Sequence, residues 1–192
     1  ITRCLVGSEM CIRDRNIIES FTKKLIDNLV SKVMGDPHDD VDYGPLVSLS
    51  ARAEVHKMVE SSIKMGAKLN LGGKIPNFEG AYYPITVLSK VQPGMPAFDE
   101  EIFGPIFSII EANDNDHAID LANDSKYGLG AAVFTSDVDK GRLIAEKKIQ
   151  SGVCFVNDYV KSDPRLPFGG IKMSGYGREL SGYGLKEFVN IK

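Results

Sequence analysis

Two stretches of this 192-residue chain carry side chains whose types and spacing could do chemistry. The first is Phe98-Asp99-Glu100-Glu101-Ile102-Phe103-Gly104-Pro105. It sets acidic groups and an aromatic just before an apolar run, with Gly-Pro fixing the turn between them. A carboxylate accepts hydrogen bonds from a vicinal diol such as a ribose, and an aromatic ring offers a flat wall to a planar heterocycle. The competing interpretation is a solvated acidic loop whose Phe103 plugs the core, and the residue types alone favour it. The second stretch, Asp163 to Leu180, opens Asp163-Pro164-Arg165, ends in Gly177-Arg178-Glu179-Leu180, and holds two prolines and four glycines in all. That composition means a long loop with a specified backbone path. Phe168, Ile171 and Tyr176 give the loop something to bury, which argues against disorder. A binding loop and a structural loop over a sheet edge fit the composition equally well.

Other candidate chemistry is sparse. His38, His56 and His117 are scattered without a second ligand type at metal-site spacing, so no metal is expected. Cys4, Cys11 and Cys154 are odd in number and do not suggest a disulfide framework, which fits a reducing cytoplasm. Cys154 falls inside an apolar run and reads as a small core hydrophobe. No glycine-rich fingerprint opens a helix, so the adenosine half of a dinucleotide has no evident cradle here.

The elements that must position these groups alternate between helix and strand. Ile18, Phe21, Leu25, Leu29 and Val33 form one helical stripe, with Asn16 as expected cap, Glu19 as capping-box acid and Gly35-Asp36-Pro37 as the stop. A second helix is expected over about Ser50–Met65, closed by Gly66, and then a strand over Lys68–Leu71. Strands over Ile106–Ile110, Ala131–Phe134 and Val153–Val156 alternate with helices around Asp116–Ala122 and Asp137–Ile149. This order predicts an α/β fold, a mostly parallel doubly wound sheet flanked by helices. With no repeat or linker, residues 16–192 are expected to form a single domain. Residues 1–15, ITRCLVGSEMCIRDR, show no sustained period and lack the design of a signal peptide. CLVGSEMCIRDR resembles translated sequencing-adapter read-through, so the segment is expected to be a non-native leader with no strand or helix of the fold.

A net charge of −3 with mixed signs and no basic block argues against nucleic acid and membrane surfaces as partners. No apolar run approaches the roughly 20 residues that span a bilayer.

The motifs gain meaning together. Glu-Glu-Ile-Phe-Gly-Pro at 100–105, Pro-Phe-Gly-Gly-Ile-Lys at 167–172 and Ser-Gly-Tyr-Gly-Arg-Glu at 174–179 resemble, in that order, the aldehyde dehydrogenase superfamily. Gly-Asp-Pro at 35–37, Gly-Pro-Leu at 44–46 and the closing Gly-Leu-Lys-Glu-Phe-Val-Asn-Ile-Lys at 184–192 extend the resemblance from about Asn16 to the end. Within it, Ser-Asp-Pro-Arg-Leu-Pro-Phe-Gly-Gly-Ile-Lys is most similar to the NAD(P)-dependent succinate-semialdehyde dehydrogenases. The resemblance implies oxidation of a small-molecule aldehyde to its acid with NAD or NADP: a cysteine thiolate attacks, a hydride leaves, and a glutamate activates water to release the thioester. It also implies that Glu101 holds the nicotinamide-ribose hydroxyls and that Phe103 packs beside the nicotinamide. Phe168 would line the aldehyde pocket, and Ser162 would hydrogen-bond the substrate's far carboxylate. Arg165 and Arg178 are the local cations, and a structural role is expected for both.

The chain also departs from the family pattern. The nucleophile's Gly-Gln-x-Cys context is missing around Cys4 and Cys11, and the general base and oxyanion asparagine have no counterpart. No residue of this chain is therefore assigned a catalytic role, and the expected state is an inactive fragment of a homo-oligomeric enzyme, ending in the start of the oligomerisation strand. The alternatives are a non-catalytic subunit-association module and an aldehyde dehydrogenase of different substrate preference.

Overall fold

The computed structural model describes residues 9–77, 79–190 and 192. Cys4 and Ile191, both named above, lie outside the described residues. The chain separates into two compact units, one running to Asn113 and the other from Asp114 to Lys192. The junction is a tight turn: Asp114 caps the helix that follows, its Oδ1 accepting from the His117 amide at 2.8 Å. A boundary placed in a helix cap leaves no Gly- or Pro-rich linker for the sequence to betray.

In the first unit, a four-stranded sheet has the order β1-β4-β3-β2. Its strands are β1 (Glu9–Asp14), β2 (Lys68–Leu71), β3 (Thr86–Ser89) and β4 (Ile106–Ala112). β1 and β3 run parallel to β4, one on each side, and β2 closes the edge antiparallel to β3. Strand β1 corrects the expectation that residues 1–15 contribute no strand. Met10, Cys11 and Ile12 are all buried in register with Ser108, Ile109 and Ile110. Three apolar residues between charges suffice for a buried parallel strand, and that run is too short to show a period. Arg13 turns outward, its guanidinium 3.8 Å from the Phe21 ring centroid.

Helix α1 (Ile18–Leu29) lays Ile18, Phe21, Leu25, Ile26 and Leu29 against Cys11, Val87 and Ile109. Two details differ from the sequence reading. The N-cap is Ile17, without a side-chain bond. Asn16 does not cap, because its amide and Nδ2 both donate to Asp14 Oδ1, at 2.8 and 2.7 Å. The helix also ends before Val33, whose amide donates to Asp42 Oδ2 at 2.8 Å and whose carbonyl accepts from the Asp42 amide at 2.9 Å. Those bonds compete with further helix, and they leave Gly35 in an extended segment after it. Helix α2 (Leu49–Lys64) matches expectation, with Ser48 accepting from the Ala51 amide at 3.0 Å and Val55, Val59 and Ser62 buried. β3 was not anticipated. Its polar ends hide a buried strand, and the Thr86 hydroxyl is satisfied by donating to Pro84 O and accepting from Gly73 N, both at 2.9 Å. A one-turn helix, α3 (Pro96–Asp99), precedes the acidic turn.

In the second unit, α4 (Asn115–Asn123) leads through β5 (Tyr127–Gly128) to β6 (Gly130–Val133). Helix α5 (Val138–Lys147) then joins β6 to its parallel partner β7 (Val153–Val156). Ile119, Val133 and Ile144 form this core, with Ala145, Ile149 and Cys154 packed against it. β8 (Ile171–Lys172) pairs antiparallel with β5. α6 (Ser181–Lys186) follows, so Gly184–Lys186 of the closing motif are helical. No helix among the described residues is long and apolar enough to cross a membrane.

Candidate functional site

Glu101 and Phe103 belong to the first unit, Ser162 and Phe168 to the second, and each pair has its own geometry.

The acidic turn hangs between α3 and β4 on buried pegs. Phe98 is 4% exposed and Ile102 1%, so these two side chains fill the core. Phe103, by contrast, is 68% exposed, which rules out the plug that its type had suggested. Alternation through the turn is the cause: with Ile102 turned inward, Phe103 must face out. Gly104 and Pro105 then lock the exit. The Gly104 amide donates to Ile102 O at 2.8 Å, and Pro105 O accepts from the Thr86 amide at 2.9 Å. A side chain at 104 would press on Val55, whose methyls lie 3.1 and 3.2 Å from the position of a Cβ. The Glu101 carboxylate is half-buried and makes no hydrogen bond among the described residues. Burial alone raises it above the ordinary glutamate range. An aromatic face and an unspent acceptor, fixed on one short turn, can take a flat ring and a diol together. Beside the turn, Gly104, Pro105, Tyr43, Ile85 and Leu29 line a hollow of about 390 Å³.

In the second unit, a cleft of about 390 Å³ runs along β7 and is walled by Lys161, Asp163, Leu166, Pro167 and Phe168. Phe168 is held by a pair of backbone bonds with Glu179, at 2.8 and 2.7 Å. Ser162 is exposed, between two residues that line the cleft. The Asp163–Leu180 loop is anchored along its length rather than draped. Lys172 Nζ donates to Asn123 O and Ser125 O at 2.8 and 3.0 Å, and Ser174 Oγ accepts from the Gly128 amide at 3.0 Å. Arg178 bonds Gly170 O at 3.0 Å and also Gly177 O, while Arg165 forks onto Asp163 at 2.9 and 2.6 Å. Both arginines are thus engaged in shaping the loop. The Arg165 side-chain bonds, with its backbone amide, hold the Asp163 carboxyl well below the usual carboxylate range.

Lys161 was overlooked in the sequence, although it adjoins Ser162. It lines the cleft and pairs with Asp158 Oδ2. That hydrogen bond raises the Lys161 ammonium and lowers the Asp158 carboxyl from their ordinary values. Cys154 lines the same cleft from β7 and packs on the α5 side, so it is less enclosed than a core residue. Of the histidines, His38 contacts Asp36, and His56 lies 3.1 Å from the buried Tyr83 hydroxyl. Burial pushes the Tyr83 phenol up to about 12.

The aldehyde dehydrogenase family profile matches residues 2–192. The chain belongs to the aldehyde dehydrogenase family. It is 44% identical over 182 residues to the succinate semialdehyde dehydrogenase [NAD(P)+] of Escherichia coli K12, covering 94% of this chain and 39% of that relative. It is 39% identical over 188 residues to the succinate-semialdehyde dehydrogenase [NADP(+)] of Mycobacterium leprae, covering 97% and 41%. A solved aldehyde dehydrogenase of Mycobacterium tuberculosis, complexed with NAD+, superposes with a TM-score of 0.89 at 35% identity, over 94% of this chain and 38% of that one. The chain therefore spans about two fifths of the relatives it matches.

Proposed function

We propose that this chain is a catalytic-domain segment of an NAD(P)-dependent aldehyde dehydrogenase that oxidises succinate semialdehyde to succinate. The observation that carries the reading is the turn at 101–103, where an outward aromatic stands beside a carboxylate that makes no hydrogen bond among the described residues. Those two groups fit the nicotinamide half of a dinucleotide: Glu101 holds the ribose hydroxyls and Phe103 walls the ring. When bound, NAD or NADP supplies the hydride acceptor for the aldehyde carbon. In the second unit, Phe168 lines the aldehyde cleft, and Ser162 donates to the carboxylate at the far end of the substrate. Support for that substrate comes from the similarity to two succinate-semialdehyde dehydrogenases.

The segment on its own is inactive. Cys11 is 4% exposed and packed among Val87, Ile109 and Phe21, surroundings that disfavour a thiolate. The chain works as part of a homo-oligomer in a reducing cytoplasm; exposed Tyr183, Leu185 and Phe188 support the association, and the odd, sparse cysteines of the sequence support the compartment. Residues 1–15 are read as a foreign leader, of which Glu9–Asp14 takes the strand position beside β4. Sequencing the genomic locus is expected to show Gly-Gln-x-Cys and an apolar strand ahead of Asn16. An in-frame ITRCLVGSEMCIRDR there would overturn this.

The substrate assignment is tested with the full-length protein that carries this segment. Succinate semialdehyde is expected to exceed butyraldehyde in kcat/KM by about ten- to hundredfold, the worth of hydrogen bonds to a charged group. Ser162→Ala should erase most of that preference. Equal efficiencies for the two aldehydes would sink the assignment.

A further inference from the structure

We propose that Ser62 is a positioning residue for the cofactor-facing turn, supplying from α2 the hydrogen bond that caps α3 and so fixing where Glu101 and Phe103 stand. The inference rests on reading Glu101 as the dinucleotide-ribose contact.

α3 cannot cap itself. Its N-cap residue is Met95, whose side chain makes no capping hydrogen bond, and its first helical residue is Pro96, which has no amide N–H. The first orphan donor is therefore the Ala97 amide, in a residue only 3% exposed, where water does not serve it. Ser62 Oγ accepts from it at 2.9 Å across 35 residues of sequence. The same hydroxyl donates to Met58 O at 2.9 Å, so both of its capacities are used, and Ser62 is 0% exposed. Beyond Ala97, the amides of Phe98, Asp99 and Glu100 find acceptors at Met95 O and Pro96 O. α3 is thus internally closed, and the Ser62 hydroxyl ties its start to α2 by a hydrogen bond.

The far end of the same segment also stands on α2. Val55 lies against Gly104 at the distances given above, and Val55, Val59 and Ser62 share the buried face of that helix. The stretch from Ala97 to Gly104 is therefore carried like a bridge with both piers on α2. Moving either pier shifts Glu101 and Phe103 as a unit. Val55 acts by shape and tolerates small adjustments. Ser62 acts by a directional bond and leaves a buried donor unmet when it is lost.

The test uses the full-length protein, comparing Ser62→Ala, Ser62→Thr, Ser62→Cys and Glu101→Gln. Ser62→Ala is expected to raise the dinucleotide KM about five- to tenfold while the aldehyde KM stays within about twofold. Ser62→Thr, which keeps the hydroxyl, should return the dinucleotide KM to the wild-type range. Ser62→Cys keeps the volume with a weaker acceptor and should fall between, which preserves the test should the alanine variant fail to fold. A role in stability alone predicts a lower melting temperature with an unchanged dinucleotide KM in the alanine or cysteine variant, and that result overturns the inference. If Glu101→Gln raises the dinucleotide KM and the Ser62 variants do not, only the positioning role fails. If Glu101→Gln changes nothing, the reading of Glu101 itself fails.

Discussion

Glu101→Gln in the full-length protein is expected to lower kcat/KM for the dinucleotide about ten- to hundredfold, with the melting temperature unchanged within about 1 °C. The reasoning starts from what the side chain does in the fold, which is little. Glu101 is half-buried, makes no hydrogen bond among the described residues, and is raised in pKa by burial rather than stabilised by a partner. Glutamine has the same length, so Ile102 stays seated and Phe103 keeps its outward position. What changes is the acceptor. A carboxylate bonded to a diol is a charge-assisted pair, worth about 1.5–3 kcal/mol, and an amide keeps only part of that. Because burial disfavours the charged form, a ligand that donates two hydrogen bonds restores what water no longer gives, which makes the loss specific to the bound state. Steady-state kinetics against varied NAD and NADP would measure it. Unchanged constants for both dinucleotides would remove Glu101 from the cofactor site.

That expectation draws on a motif legible in the sequence and on a direction that was not. The longer elements from Ile106 to Val156 could be read because their strands are apolar runs separated by helical stretches. Three features escaped for separate reasons. β1 is buried over only three residues between charges, too short a window for periodicity. β3 ends in Thr86 and Ser89, whose hydroxyls are satisfied inside the fold, so its polarity misleads. The outward turn of Phe103 depends on Ile102 taking the core position, and two adjacent apolar residues give no sign of which one will. The site followed the same rule. Glu101, Phe103, Ser162 and Phe168 were named from motifs, as the residues that the resemblance would set against cofactor and substrate. Ser62 and Lys161 were not, because a serine in a helix stripe and a lysine before a serine signal nothing until the fold brings Ala97 and the β7 cleft beside them.

The second large effect is expected at Gly152, a residue that touches no ligand. A Cβ at this position would lie 1.6 Å from Gly169 O and 2.7 Å from Gly169 C. That neighbour is backbone, so no rotamer change relieves the overlap, and one of the two chains must retreat. Gly152 is held from behind, its amide donating to Gly128 O at 2.9 Å. Gly169 is held by the Phe168–Glu179 pair on one side and by the Arg178 bond to Gly170 O on the other. The weaker side is the loop, because its bonds lie near the surface whereas Gly152 leads directly into β7. Gly152→Ala should therefore lift Gly169 and carry Phe168 away from the cleft wall. Overpacking of this kind costs about 3 kcal/mol or more, which corresponds to a fall of about 6–12 °C in melting temperature for a domain of this size. In the full-length protein that carries this segment, the aldehyde KM should rise while the dinucleotide KM does not, since Glu101 and Phe103 belong to the other unit. Gly182→Ala is the matched control, because a Cβ there meets nothing within 4 Å and the residue sits in α6. Alanine in that helix should be neutral or add a few tenths of a kcal/mol, about what glycine gives up in a helix. A Gly152→Ala protein that melts with the control and binds aldehyde normally would mean that the Asp163–Leu180 loop does not depend on this contact. Phe168 would then have to be held in the cleft by the Glu179 pairing alone.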